Sequence, residues 1–64
     1  EERYLVGVYD GCVAVFYENE EDGIYMTTDI PVAGLDHDRQ VMLNDGIYVE
    51  GRDRLGRIIG DYSS

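Results

Sequence analysis

Two apolar runs, Tyr4-Leu5-Val6-Gly7-Val8-Tyr9 and Cys12-Val13-Ala14-Val15-Phe16-Tyr17, flank Asp10-Gly11 near the start of the chain. Both are rich in β-branched and aromatic residues, which suit a pleated strand. Asp-Gly between two such runs is the strongest short-range signal for a two-residue type I′ hairpin. A turn there sets the register. It places Val8 opposite Val13, Val6 opposite Val15 and Tyr4 opposite Tyr17 on one face, and Leu5, Gly7 and Tyr9 opposite Phe16, Ala14 and Cys12 on the other. The aliphatic centre of the first face makes it the expected core. The second face is apolar as well, and is either partly covered or left for a contact.

Glu18-Asn19-Glu20-Glu21-Asp22-Gly23 has no apolar residue and repels itself, which predicts a solvated loop before strand alternation resumes at Ile24-Tyr25-Met26-Thr27-Thr28. Asp29-Ile30-Pro31 is expected to end that third strand, because proline lacks an N–H and holds its predecessor extended. A short helix is predicted from Asp36 to Asn44, with Asp36 as N-cap, Gly46 as left-handed stop and Leu35, Met42 and Leu43 turned inward. Gly46-Ile47-Tyr48-Val49 reads as a short fourth strand. Leu55, Ile58, Ile59 and Tyr62 then recur at the i, i+3, i+4, i+7 spacing of an amphipathic helix. Gly56 inside that helix costs ~1 kcal/mol relative to alanine, so the helix depends on packing.

The expected fold is therefore α+β, in the order β-β-β-α-β-α. A small sheet of three to four strands, the N-terminal hairpin plus a third and a short fourth strand, carries two helices on one face. Residues 1–64 form a single domain without repeat or linker. A right-handed crossover is expected if the third and fourth strands are parallel.

Composition narrows the functional classes. The chain is 44% hydrophobic, enough to fold, yet carries fourteen carboxylates against five arginines and no lysine, a formal net charge of −9. Such a field repels phosphate backbones and anionic lipid headgroups, which argues against nucleic acid or a bare membrane as partner. No run reaches the ~18 apolar residues of a membrane span, so no direct insertion by this segment is expected. Cys12 stands alone, so no disulfide staples the fold.

Candidate chemistry is sparse. The acidic run from Glu18 to Asp22 lacks the alternating ligands and terminal bidentate glutamate of an EF-hand loop, and reads as solvated. His37 between Asp36 and Asp38 resembles a ligand set, but neighbouring helical positions point to different faces, so an exposed helix start explains it. Arg52, Arg54 and Arg57 cluster without a matching phosphate loop, and are read as solvated or paired with the chain's own carboxylates, with an acidic partner as the alternative. Catalytic, cofactor and metal residues are all expected to be absent, and the chain is read as a non-enzyme. Tyrosine combines apolar area with a polar tip and favours interfaces. Tyr9, Cys12 and Phe16 on the second hairpin face are the candidate contact residues, provided that face stays exposed.

The segments Tyr4 to Gly11 and Val13-Ala14-Val15-Phe16, followed by Thr28-Asp29-Ile30, Leu35, Gln40, Leu43, Gly46-Ile47-Tyr48-Val49, Leu55 and Asp61-Tyr62-Ser63-Ser64, resemble the C-terminal domain of the bypass-of-forespore C (BofC) family. The likeness covers nearly the whole chain. It departs at Gly51-Arg52-Asp53-Arg54, where the family tends to a Ser or Thr cap and a Glu-rich helix start, and at the added Gly56 and Gly60. The resemblance implies an extracytoplasmic domain of spore-forming Gram-positive bacteria, tethered by a membrane segment elsewhere in a larger protein. It also implies negative regulation of a signalling protease during sporulation, through protein contact. No binding residue is carried over, since no motif defines one. The expected function is thus a non-catalytic regulatory or protein-interaction domain. The alternative is a structural appendage that stabilises or spaces a neighbouring domain. Neither the partner nor the oligomeric state is specified by the residues.

Overall fold

The computed structural model describes residues 2–18 and 23–63, so the acidic run at positions 19–22 lies outside the described residues. The chain runs through β1 (Arg3–Tyr9), β2 (Cys12–Tyr17), β3 (Ile24–Pro31), a 3-10 turn (Val32–Gly34), α1 (His37–Asp45), β4 (Ile47–Glu50) and α2 (Arg52–Ser63). The strands form one antiparallel sheet in the order β3-β2-β1-β4. This is the small α+β architecture expected, in the expected order of elements.

Asp10 and Gly11 both take positive φ, 53° and 79°, the signature of the type I′ turn. The register is the one the turn dictates: Tyr4 pairs with Tyr17, Leu5 with Phe16, Val6 with Val15, Gly7 with Ala14, Val8 with Val13 and Tyr9 with Cys12. Tyr4, Val6, Val13 and Val15 are fully buried on one face, joined by Leu43 of α1, Val49 of β4 and Leu55 of α2. Ile58, Ile59 and Tyr62 of α2 pack against this cluster, as their spacing predicted. Each aliphatic side chain so buried contributes roughly 1.5–3 kcal/mol. Both helices therefore lie on the valine face.

Tyr4, Tyr17 and Tyr25 close one end of the core. Tyr4 lies 4.8 Å from Tyr25 and 6.1 Å from Tyr17, centroid to centroid, and Tyr17 meets Tyr25 edge-on at 5.3 Å. Tilted and T-shaped pairs of this kind place a ring edge on a ring face, which adds to simple burial.

Three expectations are refined or corrected. First, β3 ends at Pro31 as expected, but the pairing includes the proline itself, which lies opposite Cys12. An edge strand tolerates proline because one side of it has no neighbour to serve. The strand stays attached across its irregular middle because the Thr28 hydroxyl donates to the Val13 carbonyl at 2.6 Å and accepts the Ile30 N–H at 3.2 Å. Second, α1 spans His37–Asp45, and Asp36 holds the N-cap position without a side-chain cap bond. Its carboxylate lies 3.7 Å from the Arg39 guanidinium instead. Third, Leu43 is buried and Leu35 half-buried, but Met42 is 52% exposed. A nine-residue helix that buries Leu43 turns the adjacent Met42 about 100° away from the sheet.

The third and fourth strands are antiparallel and sit at opposite edges, so the rule for parallel crossovers does not apply. Nine helical residues rise about 13.5 Å. Three interstrand spacings span about 14 Å, so α1 is long enough to bridge the sheet from β3 to β4. It stops at Gly46, whose N–H bonds to the Met42 and Leu43 carbonyls and whose φ of 91° suits glycine, but whose ψ of 134° lies outside the left-handed helical conformation expected of the stop.

A Cβ at Gly46 would stand 2.8 Å from Leu5 Cδ1 and would hold alanine at positive φ. Gly46→Ala is therefore expected to destabilise the domain by at least ~1 kcal/mol in urea denaturation. Gly56, inside α2 with open space around it, is the opposite case, and Gly56→Ala is expected to stabilise by ~0.5–1 kcal/mol. Equal effects of the two substitutions contradict this assignment.

Candidate functional site

Both helices turn their apolar side chains to the valine face, so among the described residues the opposite face of the sheet has no helix packed across it. Residues paired across neighbouring strands share a face, so the pairings lay out that surface in rows. Glu50, Arg3 and Glu18 form a charged row at one end, where the Arg3 guanidinium lies 3.5 Å from Glu50 and 3.8 Å from Glu18. The next row crosses all four strands as Tyr48, Leu5, Phe16 and Ile24. Gly7, Ala14 and Thr27 follow, and then Tyr9, Cys12 and Pro31 beside the hairpin turn.

This surface is apolar and graded in exposure. Tyr48 is 68% exposed, Tyr9 52% and Ile24 39%, while Leu5, Cys12 and Phe16 are half-buried. Ala14 and Gly7 are buried on the helix-free side. The Phe16 ring reaches over Gly7, its Cε2 atom 3.5 Å from where a Cβ would stand, and the Leu43 carbonyl at the end of α1 lies 3.8 Å from the same point, so the ring and the end of α1 together shield Gly7. Monomeric soluble proteins rarely leave contiguous apolar area of this kind unused, and here it is bordered by the charged row.

Of the residues singled out from the sequence, Tyr9 and Cys12 are direct cross-strand neighbours near the turn, and Phe16 lies beyond the Gly7-Ala14 row. The structure thus places all three on one face without bringing them into one cluster. Tyr48 and Ile24 are further exposed members of that face that sequence reasoning missed. Tyr48 alternates with Ile47 and Val49, a sign that one side of β4 differs from the other. Which face it joins depends on β4 pairing with β1 across 40 residues of chain, which no local pattern reveals.

The remaining candidates stay dispersed. His37 opens α1 and is exposed, and Arg52, Arg54 and Arg57 are exposed along α2. Among the described residues the ion pairs involve Arg3 and Arg39, and none includes the three α2 arginines. Arg39 also sits 5.4 Å from the centre of the Tyr62 ring, a cation–π contact joining the two helices. Among the described residues no group of three or more His, Cys, Asp or Glu is placed to hold a metal ion, and no helix is long and apolar enough to cross a membrane. An open crevice of about 370 Å³ runs beside β4, between Tyr48 and Glu50 on one side and Arg54 and Ile58 of α2 on the other. No protein-family model, curated protein or solved structure matches the chain.

One side chain is electrostatically unusual. The Tyr4 hydroxyl donates to the Glu2 carboxylate, and this bond, aided by burial and by the carboxylate's charge, pushes its pKa from 10.0 up to about 12. A phenol whose pKa rises on folding contributes stability that is complete below pH 10 and is lost as pH climbs through 12. The Tyr4 tyrosinate signal is expected to appear late in an absorbance titration and to move toward the ordinary range on Glu2→Gln. A titration that Glu2→Gln leaves unchanged contradicts the bond.

Proposed function

We propose that this chain is a non-catalytic protein-interaction domain that works by contact through the helix-free face of its sheet. The observation that carries the reading is the row Tyr48-Leu5-Phe16-Ile24, which crosses four strands and leaves its two ends exposed. Aromatic side chains at such a surface offer large contact area for few rotatable bonds, and the Arg3-Glu18-Glu50 row gives it a polar border of the kind interfaces use. The charge of −9 favours a partner that is a protein with basic surface over a nucleic acid or an anionic membrane.

The regulatory role, the extracytoplasmic location and the tether in a larger protein are proposed on the resemblance to the BofC family alone. In that setting the domain restrains a partner by occupying it, and needs no nucleophile, base or metal of its own.

A second reading follows from the same exposed row: the face packs against a neighbouring domain of its own polypeptide and serves as a structural appendage. Site-specific photo-cross-linking in the full-length protein separates the two. Cross-linkers at Tyr48 and Tyr9 are expected to give intermolecular adducts, whereas one at Arg57, on the outer side of α2, gives none. Adducts confined to the same polypeptide support the appendage. Adducts from all three positions alike, or from Arg57 alone, contradict the use of this face.

A further inference from the structure

The two edges of the sheet are built differently. The β3 edge is irregular: between the Cys12–Pro31 and Ala14–Thr27 pairs it carries three residues against one on β2, and Tyr25 is a further extra residue between Met26 and Ile24. Bulges and an edge proline are standard devices against pairing with another chain. The β4 edge has neither. Its four residues pair with β1 in unbroken register, Arg3 with Glu50 through Val6 with Ile47.

The direction of the β4 main chain follows from its neighbours. Arg3 turns its carbonyl to β2, accepting the Glu18 N–H at 3.3 Å, whereas Glu2 accepts the Gly51 N–H at 3.0 Å. Main-chain groups alternate sides along a strand, so Tyr4 and Val6 serve β4 through Val49 and Ile47. Tyr48 and Glu50 consequently direct their N–H and C=O groups outward, into the crevice beside β4. Tyr48 and Glu50 border this crevice on the open-face side, and Ile58 and Arg54 border it on the helix side.

We infer that the free edge of β4 accepts an extended strand from a partner protein, with lysine or arginine on the side facing Glu50 and apolar residues on the side facing Ile58. The inference rests on the interaction reading above and names its mode. Strand addition gains main-chain hydrogen bonds from the edge and specificity from alternate side chains. Charge selects the occupant. Arg3 is shared between Glu18 and Glu50, leaving that row one negative charge in excess; Arg54 is the crevice's other cation, on the Ile58 side, so the attraction for a basic side chain lies on the Glu50 side and in the whole chain's charge of −9. A second copy of the chain meets that same negative field, as does an acidic strand, so a basic strand is the complementary one.

The probe is a synthetic peptide of alternating valine and lysine, followed by amide NMR and hydrogen exchange on the 64-residue chain. The peptide is expected to shift and protect the Tyr48 and Glu50 amides and to leave β3 unchanged. N-methylation of alternate peptide residues, or exchange of lysine for glutamate, is expected to weaken binding about tenfold or more. Tyr48→Pro, which removes an outward N–H without touching the pairing to β1, is expected to do the same, while Tyr48→Thr retains binding. Protection appearing on β3, equal binding of the N-methylated or glutamate peptide, or Tyr48 and Glu50 amides already protected by self-association overturns the inference. If the peptide leaves β4 unprotected while cross-links from Tyr48 persist, strand addition fails and the contact function stands. Loss of those cross-links overturns the contact function itself.

Discussion

The Asp10-Gly11 turn places both of its residues at positive φ, and that local constraint organises most of the molecule. Because side chains alternate along a strand, a two-residue turn decides at once which residues of β1 and β2 share a face. Tyr4, Val6, Val13 and Val15 fall together and become the floor of the core. Leu5, Gly7, Tyr9, Cys12, Ala14 and Phe16 fall together on the reverse. A slip of one residue between β1 and β2 would put the valines of β1 on one face with Cys12, Ala14 and Phe16 of β2 and so split the valine floor.

The helices then choose between the faces on packing grounds. Leu43, Leu55, Ile58, Ile59 and Tyr62 meet the valine side, whose branched side chains and tyrosine cluster supply area and shape. The reverse side presents Gly7 and Ala14 at its centre, with little to bury beneath a helix. Phe16 and the end of α1 shield that depression, and the exposed apolar area moves outward to Tyr48, Tyr9 and Ile24. The exposed apolar area is therefore a consequence of how the core was assigned, and it is framed by one bulged edge and one plain edge.

The hairpin was legible because its determinants are local: a turn dipeptide and two periodic runs. The last helix was legible for the same reason, its stripe being four residues at regular spacing. Long-range features were not. Met42 reads as core until the short helix is seen to bury Leu43 alone. Tyr48 looks ordinary within a four-residue strand and gains its meaning from lying beside Leu5. Tyr9, Cys12 and Phe16 were placed on the right strand faces by register, but the row that unites the surface needed the neighbours of β1 and β4 to be known.

The central claim is that one sheet face is sealed by both helices while the other leaves Tyr48, Tyr9 and Ile24 exposed to solvent. NMR with a soluble, neutral paramagnetic probe tests it most directly. The ring signals of Tyr48 and Tyr9 and the methyl signals of Ile24 are expected to broaden strongly, while the methyls of Val6, Val13 and Val15 remain sharp. Equal protection of both sets, in a sample that is monomeric by sedimentation, would contradict the account.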